Sequence, residues 1–277
     1  MIKKIIKRVI DFFISKLSLT VGGRYIHRQL IDEVMSKVKQ IEYKGVIMLF
    51  STPNLLNEYR ANSFSDKEPE TLEWIQNFKS DTILWDVGAN VGLYSCYAAK
   101  KKNCKVIAFE PSVFNLELLA RNIYINDLVD KVTIFPLPLN NITTPNKLNM
   151  TTTQWGGALS SFGEIYGQDG KELNKVFEFQ TYGCSMDSIS QFLKLPLPNY
   201  LKIDVDGIEH LILQGGSEIL SHVKSVLIEI NDDFTEQADK CEELLEKAGL
   251  SLIEKRHNKE LENTSMRNSF NQVWTRI

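Results

Sequence analysis

The stretch ILWDVGANVGLYS at 83–95 changes character twice. An apolar run reaching Asp86 and Val87 reads as a buried strand, Gly88-Ala89-Asn90 as a tight turn, and Val91-Gly92 as the entry to a helix. Glycine suits such a turn because a side chain there would strain the backbone and block its approach to a ligand. The spacing is Asp-x-Gly-x-x-x-Gly, whereas a pyrophosphate seated on a helix N-terminus calls for Gly-x-Gly-x-x-Gly. The pattern therefore points to S-adenosylmethionine ahead of a nicotinamide dinucleotide. Asp86 is placed to reach the polar methionine portion of that ligand, while Gly88, Ala89, Asn90 and Gly92 line the floor beneath it. The next apolar run, 105–110, ends on a second acid. Glu110 can accept hydrogen bonds from both hydroxyls of a ribose, each charge-assisted bond being worth about 1.5–3 kcal/mol. Pro111 follows it among the cofactor-binding residues.

Outward from this turn, further buried-strand patterns lie at 132–137, 200–205 and 225–230, and helical patterns at 92–101, 113–126, 208–220 and 235–248. Strand and helix alternate as in a doubly wound α/β sheet. Two late runs, 250–255 and 272–277, suggest a hairpin on the sheet edge. The long connection from Asn140 to Ser185 breaks the alternation. Its aromatic residues Trp155, Phe162 and Tyr166 suit either stacking on a sugar face or packing within the loop. Before the core, helical patterns run over 1–17 and 24–40, a strand over 45–50, and a helix opened by Ser65 and Pro69 extends to about Phe78. The expected division is an N-terminal helix and cap region at 1–80, followed by a cofactor-binding domain at 81–277.

Composition narrows the partners. With 43% hydrophobic and 24% charged residues the 277-residue chain can bury a full core. Its net charge of −3, with no basic-aromatic block in the body, argues against a nucleic-acid substrate. The four cysteines are too scattered for a zinc site and read as free thiols in a cytoplasmic protein. The segment MIKKIIKRVIDFFISKL is amphipathic and basic, too short and too interrupted to span a bilayer. It fits a helix packed on the domain or a partner, or a peripheral anchor on the inner face of a membrane.

The motifs DVGANVGLYS (86–95), AFEPS (108–112), YLKIDVDGIEHLILQGG (200–216) and SVLIEIN (225–231) together resemble the FkbM family of S-adenosylmethionine-dependent methyltransferases. KEPETLEWI (67–75) is similar to the segment that precedes the core in one branch of it. The resemblance implies a Rossmann-like class I methyltransferase sheet, strand order 3-2-1-4-5-7-6 with an antiparallel last strand, and O-methylation of a sugar, glycan precursor or other small metabolite. Many relatives carry Glu where this chain has Asp206.

In that order the strands ending near Asp86 and Asp204 are neighbours, so the methyl donor faces the Lys202–Asp206 segment. Asp204 is expected to orient or deprotonate the acceptor hydroxyl, with Lys202 and Glu229 setting the field and Asp206 fixing the following turn. In the alternative, Asp204, Glu229 and Asn231 hold a divalent metal ion that lowers the acceptor pKa. Glu209 reads as a helix-entry cap, and His210 as a packed or solvated residue. Two other functions compete: an N-methyltransferase, which would carry an Asn-Pro-Pro-Tyr-like turn where this chain has IDVDG, and a non-catalytic cofactor-binding module.

Overall fold

A computed structural model describes residues 2–257 and 267–277. The polar stretch expected to join the last two strands lies largely outside the described residues. The chain opens with α1 (Ile2–Leu17) and α2 (Val21–Ser36). Their corner is tight: Thr20 caps α2 by accepting from the Gly23 amide at 2.9 Å, and a Cβ on Gly23 would stand 1.8 Å from the Leu17 carbonyl oxygen. The apolar side chains of α1 from Ile5 onward are exposed, Phe13 at 66%. No helix among the described residues is long and apolar enough to cross a membrane.

The second helix stops at Ser36, short of the expected Gln40. Residues Val38–Tyr43 (β1) instead pair antiparallel with Val46–Ser51 (β2). The local cause is the Lys44-Gly45 turn, both residues having positive φ (46° and 77°), a two-residue hairpin connection that outweighs the helical spacing before it. Asn54 then caps a helix that the sequence reading lacks, α3 (Leu55–Asn62). Next comes α4 (Pro69–Gln76), which starts on its proline rather than at Ser65.

The core follows as β3 (Ile83–Val87), α5 (Leu93–Lys102), β4 (Lys105–Phe109), α6 (Val113–Ile125) and β5 (Val132–Phe135). The long connection folds into strands β6 (Thr144–Met150), β7 (Ser160–Phe162) and β8 (Phe177–Gly183), a separate small sheet in the order β7-β6-β8, and leads into α7 (Met186–Leu193). The chain then completes the main sheet with β9 (Tyr200–Ile203), α8 (Glu209–Gln214), α9 (Ser217–His222), β10 (Ser225–Asn231), α10 (Thr235–Lys247), β11 (Ser251–Arg256) and β12 (Ser269–Thr275). The one helix expected over 208–220 is two. Gly215 and Gly216 interrupt it where added Cβ atoms would lie 2.3 Å from the Asn140 oxygen and 2.1 Å from Met186 Cε.

The main sheet runs β11-β12-β10-β9-β3-β4-β5, parallel except where β12 pairs antiparallel with β10 and β11. Counting core strands alone, this is the order 3-2-1-4-5-7-6 of the class I methyltransferase fold. One face buries Trp85, Phe109, Ile203, Ile228 and Leu213; the other packs Leu84, Val106 and Leu227 against Met48, Phe50, Leu72, Trp74 and Tyr97. Each fully buried large side chain contributes about 1.5–3 kcal/mol. The β2 edge is satisfied by α6: Asn122 Oδ1 accepts from the Ser51 amide at 2.8 Å, and Asn126 both accepts from Leu49 N (3.0 Å) and donates to Leu49 O (2.6 Å). The segment leading to α3 is thereby fastened beside the β3–α5 turn.

Candidate active site

The β3–α5 turn is held rigidly against β4. The amides of Gly88 and Ala89 both donate to the Phe109 oxygen at 3.0 Å. Gly88 has φ +82°, and a Cβ there would lie 1.9 Å from the Asp204 carbonyl oxygen, so this position requires glycine on two counts. Asp86 is buried. Its Oδ2 accepts from Ser95 Oγ at 2.5 Å, while its Oδ1 has no hydrogen-bond partner among the described residues. That orphan acceptor and the glycine cradle fit a ligand supplying its own donors.

Glu110 directly follows β4, one residue past the strand's end, and each of its oxygens already takes one backbone amide: Oε2 from Asn90 and Oε1 from Ser112, both at 2.8 Å. Burial nonetheless pushes its carboxyl up to about 7 against those bonds. The remaining lone pairs can accept from a ligand diol.

Two adjoining cavities share Gly88, Asn90, Asp204 and Asp206. A small one of about 60 Å³ runs along Phe109, Glu110, Pro111 and Asn115. A larger one of about 370 Å³ is walled by Arg60, Lys67, Glu68, Tyr94, Lys202 and Glu229. Asp86, Gly88, Ala89, Asn90, Gly92, Glu110 and Pro111 thus lie along one turn and the strand end beside it. Lys202, Asp204 and Glu229 meet at its far side.

That far side is a charge cluster. Lys202 is 2% exposed, yet its Nζ lies 2.8 Å from Asp204 Oδ2 and 5.4 Å from the centre of the Tyr94 ring. Burial alone would lower its pKa, but Asp204, Asp86 and Glu68 outweigh it and push the ammonium higher. Burial likewise favours a neutral Asp204, but Lys202 and Lys67 hold its carboxyl at about 2. Glu229 goes the other way: burial, then the charges of Asp204, Glu68 and Asp206, keep it well above the ordinary carboxylate range. These fields favour a proton on Glu229 over one on Asp204.

Strand geometry ends at Ile203, so Lys202, Asp204 and Asp206 do not continue one extended face. Asp206 sits in the left-handed region at φ +64°, its Oδ2 accepting from the Leu159 amide at 2.6 Å. Burial and the neighbouring Asp204 push it up to about 6. Glu209 closes the following turn, accepting from the amides of Val205 (3.2 Å) and Gly207 (3.0 Å). His210 is buried edge-on to Phe234.

Asn231 stands apart from Asp204 and Glu229 in role. Its Oδ1 accepts from the Asp233 amide at 2.9 Å and it lines neither cavity. Among the described residues no group of three or more His, Cys, Asp and Glu is arranged to hold a metal ion. The cation facing Asp204 is the Lys202 ammonium.

The sequence reading marked the 140–185 connection and Trp155, but not how this segment is fastened. Residues 155–157 lead into Ala158, which lines both cavities, and their carbonyls are gripped in turn. Asn54 and Asn57 donate to Trp155 O (3.0 and 2.8 Å), Arg60 Nε and Nη2 to Gly156 O (2.9 and 2.6 Å), and Asn90 and Asn115 to Gly157 O (2.9 and 3.0 Å). It also missed Glu68 and Tyr94, which wall the larger cavity. The signal lay in KEPETLEWI: Glu68 precedes α4 but makes no capping bond, turning its carboxylate to Lys67 at 2.7 Å instead. Of the three loop aromatics, Phe162 is core and Tyr166 packs edge to face on Phe234, as loop packing requires.

Comparison with known proteins assigns the family. Residues 86–256 match the family model for the Methyltransferase FkbM domain. The chain belongs to the FkbM methyltransferase family. It is accordingly an S-adenosylmethionine-dependent methyltransferase. Relatives within reach of sequence comparison include the hexuronic acid methyltransferase AglP of Haloferax volcanii, 25% identical over 197 residues that cover 69% of this chain and 73% of that protein. The methyltransferase sdnD of Sordaria araneosa is 28% identical over 188 residues, covering 56% and 68%. The crystal structure of an FkbM methyltransferase from Methylobacillus flagellatus shares the fold, with a TM-score of 0.50 at 15% identity; the match covers 72% of this chain and 44% of that one.

Proposed function

We propose that this FkbM-family enzyme methylates a hydroxyl oxygen of a sugar, a glycan precursor or a comparable small metabolite. Asp204 carries the proposal: it lines both cavities and is kept ionised by Lys202 at 2.8 Å. S-Adenosylmethionine supplies an electrophilic methyl group when bound, so the chain has to align the acceptor oxygen, exclude water and manage one proton. Asp204 accepts a hydrogen bond from the acceptor hydroxyl, with Lys202 fixing its carboxylate. A carboxyl held at about 2 is a weak base toward a free alcohol. The proton therefore leaves as the new O–C bond forms, when the hydroxyl is far more acidic. Asp206 borders the same junction and, at about 6, is closer in acidity to neutral solvent.

A relative acting on a hexuronic acid supports a sugar-class acceptor. Such a sugar offers both a carboxylate and hydroxyls. Asp204 and Asp206 oppose an anionic oxygen at the reacting edge and suit an oxygen with a proton to give. Incubation with methyl-labelled cofactor and a panel of neutral sugars, nucleotide sugars and hexuronates is expected to yield a base-stable methyl ether. A base-labile methyl ester, or label on an amine, would overturn the assignment.

For the cofactor, Asp86 and the Gly88–Gly92 turn hold the methionine side and Glu110 the ribose. Because burial sets Glu110 near 7, ionising it for hydroxyl binding becomes harder as pH falls. The cofactor Kd is expected to rise by up to about tenfold per pH unit below about 7. In Glu110→Gln it should be weaker at neutral pH and nearly flat with pH. Calorimetric titration from about pH 8 to about pH 5.5 measures both; an unchanged wild-type Kd over that range would remove Glu110 from ribose binding.

A further inference from the structure

We propose that α1 is an in-plane anchor that docks this enzyme on an anionic lipid surface. The proposal is independent of which oxygen accepts the methyl group. In IKKIIKRVIDFFISKL, five cations stand against the single anion Asp11, on a chain whose net charge is −3. At about 100° per residue Lys4, Lys7 and Arg8 gather on one side of the helix, and Ile5, Ile6, Val9, Phe12 and Phe13 on the other. Those apolar side chains are about half exposed or more, Phe12 at 57% and Phe13 at 66%, so the folded domain does not cover them.

What covers them is indicated by shape and charge. The apolar arc also takes in Ile10 and Leu17, wider than the two-position seam of a paired coiled coil, and Lys16 interrupts that seam. Pairing with a second copy would bring like-charged flanks together. A bilayer interface meets both features: an arc of this width sinks to the acyl boundary, while flanking cations reach anionic headgroups. The net negative body is repelled by the same surface, which favours docking through α1.

The anchor is coupled to the site through the chain. The close corner at Gly23 fixes α1 against α2, a helix of 16 residues and about 24 Å. The β1–β2 hairpin follows, pinned by Asn122 and Asn126, and then α3, whose Arg60 walls the larger cavity. Docking thus tethers the catalytic domain to the lipid surface through α2 and the pinned hairpin.

Vesicle flotation of the full chain tests this, with phosphatidylcholine alone and with about one third phosphatidylglycerol. Flotation is expected with the anionic vesicles and loss of it in about 1 M salt. Phe12→Ser/Phe13→Ser and Lys4→Glu/Lys7→Glu/Arg8→Glu should each reduce partition at least about tenfold. Cofactor titration unchanged in both variants shows that they remain folded. Equal binding to neutral vesicles, or variants that float like wild type, would overturn the proposal. So would a failure to float joined to a dimer, seen in sedimentation, that the phenylalanine substitutions dissolve; that result would assign the face to a second copy.

Discussion

Asp204→Asn is expected to slow methyl transfer at least about a thousandfold while changing cofactor affinity by less than about threefold. The carboxylate borders both cavities, so under the proposed function its loss removes the acceptor's hydrogen-bond partner without touching the Gly88 cradle or Glu110. The asparagine keeps the shape but not the charge that holds Lys202, and its amide can turn a donor toward the hydroxyl. Single-turnover rates with labelled cofactor, set beside a calorimetric Kd, separate the two effects. A variant within about tenfold of wild type would exclude Asp204 from the proton's path.

Lys202→Met is expected to cost about 3–5 kcal/mol of stability at neutral pH. The ammonium is nearly inaccessible and is the shared counter-ion of Asp204, Asp86 and Glu68, so its removal leaves acids repelling one another in a partly dry site. The sign with pH follows from the shifts. In the wild type Asp204 is held down at about 2, so its contribution is present above its ordinary value of 3.8 and is lost as pH falls toward 2. In the variant the unpaired acids are pushed upward and gain by protonation. Its deficit should therefore shrink between about pH 7 and about pH 5, as read by denaturant unfolding at both. A deficit constant over that interval would mean that Lys202 stabilises by packing alone.

The parts of this site that were legible in the sequence are those where a backbone need fixes a residue type. Gly88 must be glycine because of its φ and the Asp204 oxygen beside it, and the acids Asp86 and Glu110 close apolar runs that read as buried strands. Strand order came through the motifs' resemblance to a family and matches the sheet. What stayed hidden depends on contacts distant in sequence. Glu229 was singled out beside Asp204, but not the upward shift that burial, then the charges of Asp204, Glu68 and Asp206, impose on it. Helix spacing carried past Ser36 because the competing Lys44-Gly45 turn lies beyond it, and the break at Gly215-Gly216 is set by Asn140 and Met186. Asn231 was grouped with Asp204 by strand position, but its Oδ1 is taken by the Asp233 amide and it lines neither cavity.

The grip on residues 155–157 falls entirely on main-chain groups, with Asn54, Asn57, Arg60, Asn90 and Asn115 reading carbonyls that every residue type possesses. Gly156 is tied to its identity by a φ of +80° and by Asn57, only 2.5 Å from where a Cβ would stand. Trp155 has no such tie. A substitution at Trp155 that leaves its carbonyl in place therefore keeps this fastening intact, so sequence can vary there at little cost to the fold.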